Sequence, residues 1–323
     1  DLWRDKGEKS TLIKHLKITF FASILLFQGP LFSEYEVSTE NIEVWSDGTR
    51  MQGNLFIPQD KNIKKWPTIL MAHGWGGTKD HLNSAYAPKF AAAGFIVMTF
   101  DYRGWGESDS RLVIYDDMPK PSTSSNKIKV EAIAIRELVD PLDQYEDIQS
   151  CLYFLEGDSR VDTTRIGIWG SSFGGGHAVM VGATDPRIKV IVSQVGGMGA
   201  GMELYAKELK KRLVMQARKE EDPVPQGIDK APGLRGTPHL GRMALYQPVS
   251  EAKNIKVPTL IVDAENEELF DRRENGLAVY NLIKDKVPAK YLTFPGKHYD
   301  IYSKNLEAAV DAQIDWFKKY LKQ

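Results

Sequence analysis

The chain has 323 residues, enough to bury a sizeable core in one large α/β domain or in two small ones. Apolar residues at 42% and charged residues at 26% are those of an ordinary globular protein and exclude a disordered chain. With 42 Lys and Arg against 43 Asp and Glu the formal net charge is -1, which gives neither nucleic acid nor an anionic membrane an electrostatic foothold, and the single cysteine, Cys151, excludes an intrachain disulfide and a Cys-based zinc site.

Residues 1–34 read as an extension outside the main domain. In "KHLKITFFASILLFQGPLFS", Lys14 and Lys17 precede an apolar run from Ile18 to Phe27, followed by a Gly-Pro break and the small Ser33. That is the layout of a secretory signal peptide, and the run is too short to cross a membrane. The acidic residues upstream, Asp1, Asp5 and Glu8, suit the other reading, an amphipathic helix docked on the body or on a partner. Export would make the protein secreted or periplasmic; without it the location is cytoplasmic.

From residue 35 onward strands and helices alternate. "YEVSTENIEVWS" and "TRMQGNLFIP" form an antiparallel pair around the Asp47-Gly48 turn. Strands follow at 67–73 and 95–101, separated by a helix over about 80–93; a helix over about 141–155 and the strand "RIGIWG" come next. Cys151, in "IQSCLYFL", is expected to be a buried helix residue. After a helix starting at Ser172, strands at 187–195, 258–264 and 289–294, a helix ending near Ile283 and the terminal helix "NLEAAVDAQIDWFKKYL" complete the run. Strands apolar on both faces and alternating with helices imply a mostly parallel eight-stranded sheet covered by helices on both faces. Two insertions interrupt the rhythm, at 108–138 and at about 197–250, and the second is expected to be a cap.

The stretch "RIGIWGSSFGGGHAV" places two serines between a strand and a helix. A nucleophile at the tip of so sharp a turn needs glycine-sized residues two before and two after it. Ser172 has Gly170 and Gly174 there, whereas Ser171 has Trp169 and Phe173, so Ser172 is the candidate. The pattern alone is weak, and its setting between strand and helix, with acidic and His candidates later in the chain, supports it.

These features resemble the α/β-hydrolase superfamily from residue 35 to the end. "HGWGGTKD" is similar to its oxyanion loop, "GSSFGG" to its nucleophile elbow and "FPGKHYDIY" to its histidine loop. "AENEELFD", "HYDIY" and the long insertion before "EDIQSCLYFL" are closest to dienelactone-hydrolase-like and polyketide thioesterase- or transferase-like members, bordering on the X-Pro dipeptidyl-peptidase type. The resemblance implies an α/β-hydrolase fold over 35–323. Late in the chain, after the last strand, His298 is placed to act as general base. His73 reads as a support of the oxyanion loop, His177 as a satisfied core residue, and His15, His81 and His239 have no supporting context. The orienting acid is expected after the seventh strand, where counting as relatives do selects Glu267, with Glu265 as the alternative and Asp263 still inside the strand.

The oxyanion is expected to rest on the backbone N–H groups of Trp75 and Phe173. Tyr102, Trp105, Trp75 and Tyr299 are expected around the mouth, and Met202 as part of an apolar cover over the substrate. Together these residues point to a serine hydrolase acting on an ester or thioester of a small to medium acyl substrate, with no cofactor and no metal. Acyl transfer or peptide hydrolysis on the same fold, and a non-catalytic binding protein, are the alternatives; homodimerisation stays open.

Overall fold

Asp47 and Gly48 both take positive φ, 42° and 76°, the backbone of the tight turn that joins β1 (Glu36–Ser46) to β2 (Thr49–Gln59). The computed structural model describes residues 35–121, 124–199, 206–225 and 233–322; the signal-like segment and Met202 lie outside these residues. Eight strands form one sheet: β3 is Trp66–Ala72, β4 Ile96–Phe100, β5 Val161–Ser171, β6 Ile188–Gln194, β7 Thr259–Ala264 and β8 Ala289–Phe294. Their order is β1-β2-β4-β3-β5-β6-β7-β8. β1 pairs with β2, and β2 with β4, antiparallel; every other pairing is parallel. The fold is therefore α/β with a mostly parallel sheet.

Alternation along each strand divides the core into two layers. Leu70 of β3 and Ile168 of β5 face Ile148, Cys151 and Leu152 of α3 (Pro141–Gly157), Val179 of α4 (Phe173–Thr184) and Val279 of α6 (Gly276–Ile283). On the other face Ile69, Met71 and Trp169 meet Leu82 of α1 (Lys79–Ala85), Phe90 of α2 (Ala87–Ala92) and Phe317 of α7 (Leu306–Leu321). The helix expected over 80–93 is two helices, broken at Tyr86. Pro88 has no N–H to donate to Ser84 and its ring crowds that carbonyl, so the ladder stops and restarts. α3 starts where expected: Asp140 accepts from the N–H groups of Leu142 and Asp143, and Pro141 fills the first turn.

The segment 108–138 holds a short antiparallel ladder, Leu112–Val113 with Ile133–Ala134. The segment 197–250 carries α5 (Ala206–Ala217) and two one-turn helices, Leu240–Met243 and Pro248–Glu251. Thr237–Pro238 pairs with Leu138–Val139, and Arg242 reaches the carboxylates of Asp140 and Asp143, so both insertions are tied to the start of α3. Among the described residues no helix is long and apolar enough to cross a membrane.

Candidate active site

β5 runs directly into α4, and the residue at the junction is Ser172, with φ 56° and ψ -125°. A non-glycine residue is seldom held there, and the surroundings enforce it. A Cβ on Gly170 would sit 1.9 Å from the Gly174 carbonyl oxygen, and one on Gly174 would sit 2.2 Å from that of Ala72. Strand, elbow and helix thus approach as closely as backbone allows. Ser172 donates its own N–H to the Gln194 carbonyl at 2.9 Å, and its carbonyl accepts from Gly175 and Gly197 at 2.8 and 3.0 Å. Ser171, by contrast, is buried and hydrogen-bonded to Tyr302 and Gln194.

His298 opens a 3-10 turn, His298–Tyr302, after β8. Its Nδ1 lies 2.8 Å from Glu267 Oε2, and both side chains are 1% exposed. A carboxylate only accepts, so the contact places the imidazole hydrogen on Nδ1 and leaves Nε2 with its lone pair. Glu267 is held by the N–H of Leu269 at 3.0 Å, and Glu268 accepts from the backbone N–H of His298 at 2.8 Å. Glu265 is exposed and makes no side-chain contact with His298. Asp263 stays in β7, fully buried, accepting from Tyr291 Oη at 2.9 Å while its Oδ1 has no partner. Burial first, and the nearby Glu267 charge, push its carboxyl up to about 7, against a lowering from the Tyr291 hydrogen bond.

The loop after β3 is clamped from below. Asp101 Oδ1 accepts from the N–H of Lys79 at 2.8 Å and its Oδ2 from that of Glu107 at 3.0 Å, while the buried Lys79 ammonium pairs with Glu107 and Asp101. His73 Nδ1 lies 3.0 Å from the Gly74 carbonyl oxygen and folds the loop onto itself. Among the described residues the N–H groups of Trp75 and Phe173 have no acceptor; Phe173 is the first residue of α4, where no helix carbonyl lies behind it. The Trp75 indole donates to the Arg235 carbonyl at 3.1 Å, so this loop also leans on the segment 197–250.

Two cavities meet at Ser172. One, about 310 Å³, is walled by Trp75, Phe173, Met198, Met243, Tyr246 and Phe270, with no charged side chain among the described residues that line it. Its Asn275 is committed, accepting from Met198 N–H and donating to the Asp271 carbonyl. The other, about 270 Å³, is walled by Gly74, Trp75, His81, Ser172, His298, Tyr299 and Tyr302. Tyr299 is 55% exposed at this opening. Tyr102 and Trp105 do not ring the mouth: each is 1% exposed and packed in the core. Tyr102 stacks edge-on against His73, ring centroids 4.5 Å apart, and the Trp105 indole donates to the Leu138 carbonyl, so both brace loops from beneath. Their neighbours in "FDYRGWG" turn the chain inward, because Asp101 and Arg103 are themselves buried and paired.

His177 sits between Tyr246 Oη and Gln144 Oε1 at 2.5 and 2.9 Å, and burial holds its imidazole down at about 3, hence neutral. His81 and Tyr302 line the 270 Å³ cavity, which sequence reasoning missed, while Glu268, one of the acids that "LIVDAENEELFD" offers, holds the His298 backbone instead of its ring. Only Tyr302 had left a signal, its place in "HYDIY" beside His298.

Comparison with known proteins agrees with this architecture. The family profile of X-Pro dipeptidyl-peptidase (S15 family) matches residues 47–221, and that of the prolyl oligopeptidase family matches residues 141–323. An uncharacterised 31.7 kDa protein of Escherichia coli, from the traX-finO intergenic region, is 29% identical over 82% of this chain and 95% of its own length. The quorum-quenching protein AidA of Acinetobacter baumannii is 33% identical over 47% of this chain and 43% of its own. The solved structure of ferulic acid bound to Est1E from Butyrivibrio proteoclasticus superposes with a TM-score of 0.63 at 18% identity, covering 87% of this chain and 100% of that one. Two profiles that each span more than half of the chain, on a sheet ordered in this way, leave one conclusion: the chain belongs to the α/β-hydrolase superfamily, among the serine hydrolases related to the S15 and prolyl oligopeptidase families.

Proposed function

We propose that this protein is a serine esterase or thioesterase that works through Ser172, His298 and Glu267. The observation that carries the reading is one cavity holding both the strained Ser172 and the imidazole of a His298 bound to a buried carboxylate. Ser172 Oγ attacks the substrate carbonyl while His298 Nε2 takes its proton. The oxyanion is received by the backbone N–H groups of Phe173 and Trp75. His298 then protonates the departing alcohol or thiol, and water attacks the acyl-enzyme in the same way.

The two cavities divide the substrate. The leaving group must lie where His298 can protonate it, in the 270 Å³ cavity, so the acyl chain takes the 310 Å³ one. Its apolar walls suit a neutral acyl group of small to medium size. A dipeptidyl-peptidase needs a partner for a charged amino terminus, and among the described residues no carboxylate lines that cavity; this supports esters over peptides.

A fluorophosphonate probe with an ester, thioester and X-Pro amide panel tests the proposal. The wild type is expected to be labelled and to cleave the neutral esters or thioesters, Ser171→Ala to keep the label, and folded Ser172→Ala to lose it. Equal labelling of wild type and Ser172→Ala would remove Ser172 from the role.

A further inference from the structure

Ser171 ends a line of buried hydrogen bonds whose polarity follows from counting donors and acceptors. It begins at Trp169, whose indole Nε1 can only donate and lies 2.8 Å from Gln313 Oε1. That contact orients the Gln313 amide, so its Nε2 donates to Gln194 Oε1 at 2.7 Å. Gln194 is oriented in turn, and its two Nε2 hydrogens go to Tyr86 Oη and Ser171 Oγ, each at 3.0 Å. Trp169, Gln194 and Gln313 are 0% exposed, which removes solvent as an alternative partner for them; Ser171, 3% exposed, touches the 270 Å³ cavity that Tyr302 also lines.

Ser171 Oγ therefore accepts from Gln194 and still has its own hydrogen to place. Among the described residues its remaining partner is Tyr302 Oη at 2.7 Å, and donating there satisfies that hydrogen. Tyr302 thus accepts at its oxygen, and its own hydrogen has no acceptor among the described residues. Tyr302 is in the wall of the 270 Å³ cavity with Ser172 and His298, its ring centroid 5.9 Å from that of the imidazole. Burial pushes its hydroxyl above the ordinary tyrosine range, so it remains a donor at neutral pH.

We propose that Tyr302 is a substrate-contacting residue whose hydroxyl, aimed by the line from Trp169 to Ser171, donates a hydrogen bond to an oxygen in the leaving group. It selects substrates whose leaving group carries an ether, hydroxyl or carbonyl oxygen close beyond the scissile bond. The inference rests on the serine-hydrolase reading, because the position of His298 is what makes this cavity the leaving-group side.

Butyl and 2-methoxyethyl esters of one acyl group test it, since they differ by one methylene against one ether oxygen. After correction for their rates of hydroxide hydrolysis, the wild type is expected to favour the methoxyethyl ester in kcat/KM. In Tyr302→Phe that preference falls by about tenfold, the worth of one hydrogen bond, with the butyl ester little affected. A packing role would lower both esters together. Ser171→Ala keeps the tyrosine hydroxyl but not what aims it, and is expected to lose part of the preference. Fluorophosphonate labelling runs alongside. A labelled Tyr302→Phe with an unchanged ratio, or a labelled wild type with no preference, overturns the role of Tyr302 alone. A folded wild type that is neither labelled nor active overturns the serine-hydrolase reading and this inference with it. If Tyr302→Phe is not labelled, Ser171→Ala decides, and full retention of the preference overturns the proposal.

Discussion

Glu267→Gln keeps the shape of the side chain and gives the His298 ring a partner that can present either an oxygen or an amide to Nδ1. The amide face favours the tautomer with its hydrogen on Nε2, where the lone pair is needed. We expect kcat to fall by about 10²- to 10⁴-fold with little loss of stability, and Glu265→Gln, on an exposed side chain, to change it far less. Steady-state kinetics of the two variants checks the ranking. Asp263, behind this pair, makes a separate prediction. Its carboxyl is raised to about 7 in the folded protein, above its ordinary 3.8, so it binds a proton more tightly folded than unfolded. Its contribution to stability is complete below about pH 4 and is lost as pH rises through about 7. Asp263→Asn removes that dependence: relative to the wild type it should be more stable at pH 8 than at pH 5, by a few kcal/mol, as thermal melts at both values would show. The contact between Glu267 and His298 was legible through the family resemblance, by counting as relatives do. The Glu268 contact was not, because it depends on a turn geometry that side-chain identity leaves open.

At the scale of the element, β5, the elbow and α4 are joined so tightly that two glycines decide whether the junction can form. Gly174→Ala, with its new methyl 2.2 Å from the Ala72 carbonyl oxygen, is expected to abolish cooperative folding or to cost several kcal/mol. Gly157→Ala is the matched control, since a Cβ there meets nothing within 4 Å at the end of α3, and it should be neutral or stabilise by up to about 1 kcal/mol. Thermal unfolding of the two proteins separates the outcomes. The eight strands and the elbow could be read from apolar runs and glycine framing. The break at Tyr86 was readable in principle from Pro88, but apolar residues continue across it and suggest one helix. Tyr102 and Trp105 illustrate the opposite limit. An aromatic in a loop looks the same in sequence whether it faces substrate or core, and here the buried pairs of Asp101 and Arg103 turn the loop inward.

Across the whole molecule, the segment 197–250 is the part whose sequence says least about its structure, since two of its helices are single turns and its contacts are long-range. Met243 and Tyr246 wall the cavity assigned to the acyl group and not the one assigned to the leaving group. Met243→Trp is expected to fill that space, lowering kcat/KM for octanoyl esters by at least about tenfold relative to acetyl esters, with leaving-group preference unchanged. A chain-length series with two alcohols for each acid tests both halves of the statement. The same segment also supplies the Arg235 carbonyl that accepts from the Trp75 indole, and Trp75 contributes a wall of each cavity and, in the proposed mechanism, an amide for the carbonyl under attack. Recognition and rate are consequently coupled through one side chain. A graft of this segment from a relative would not behave as an interchangeable specificity cassette: unless it restored a carbonyl at that position, its new substrates would bind and turn over slowly, and the defect would appear in kcat while KM looked healthy.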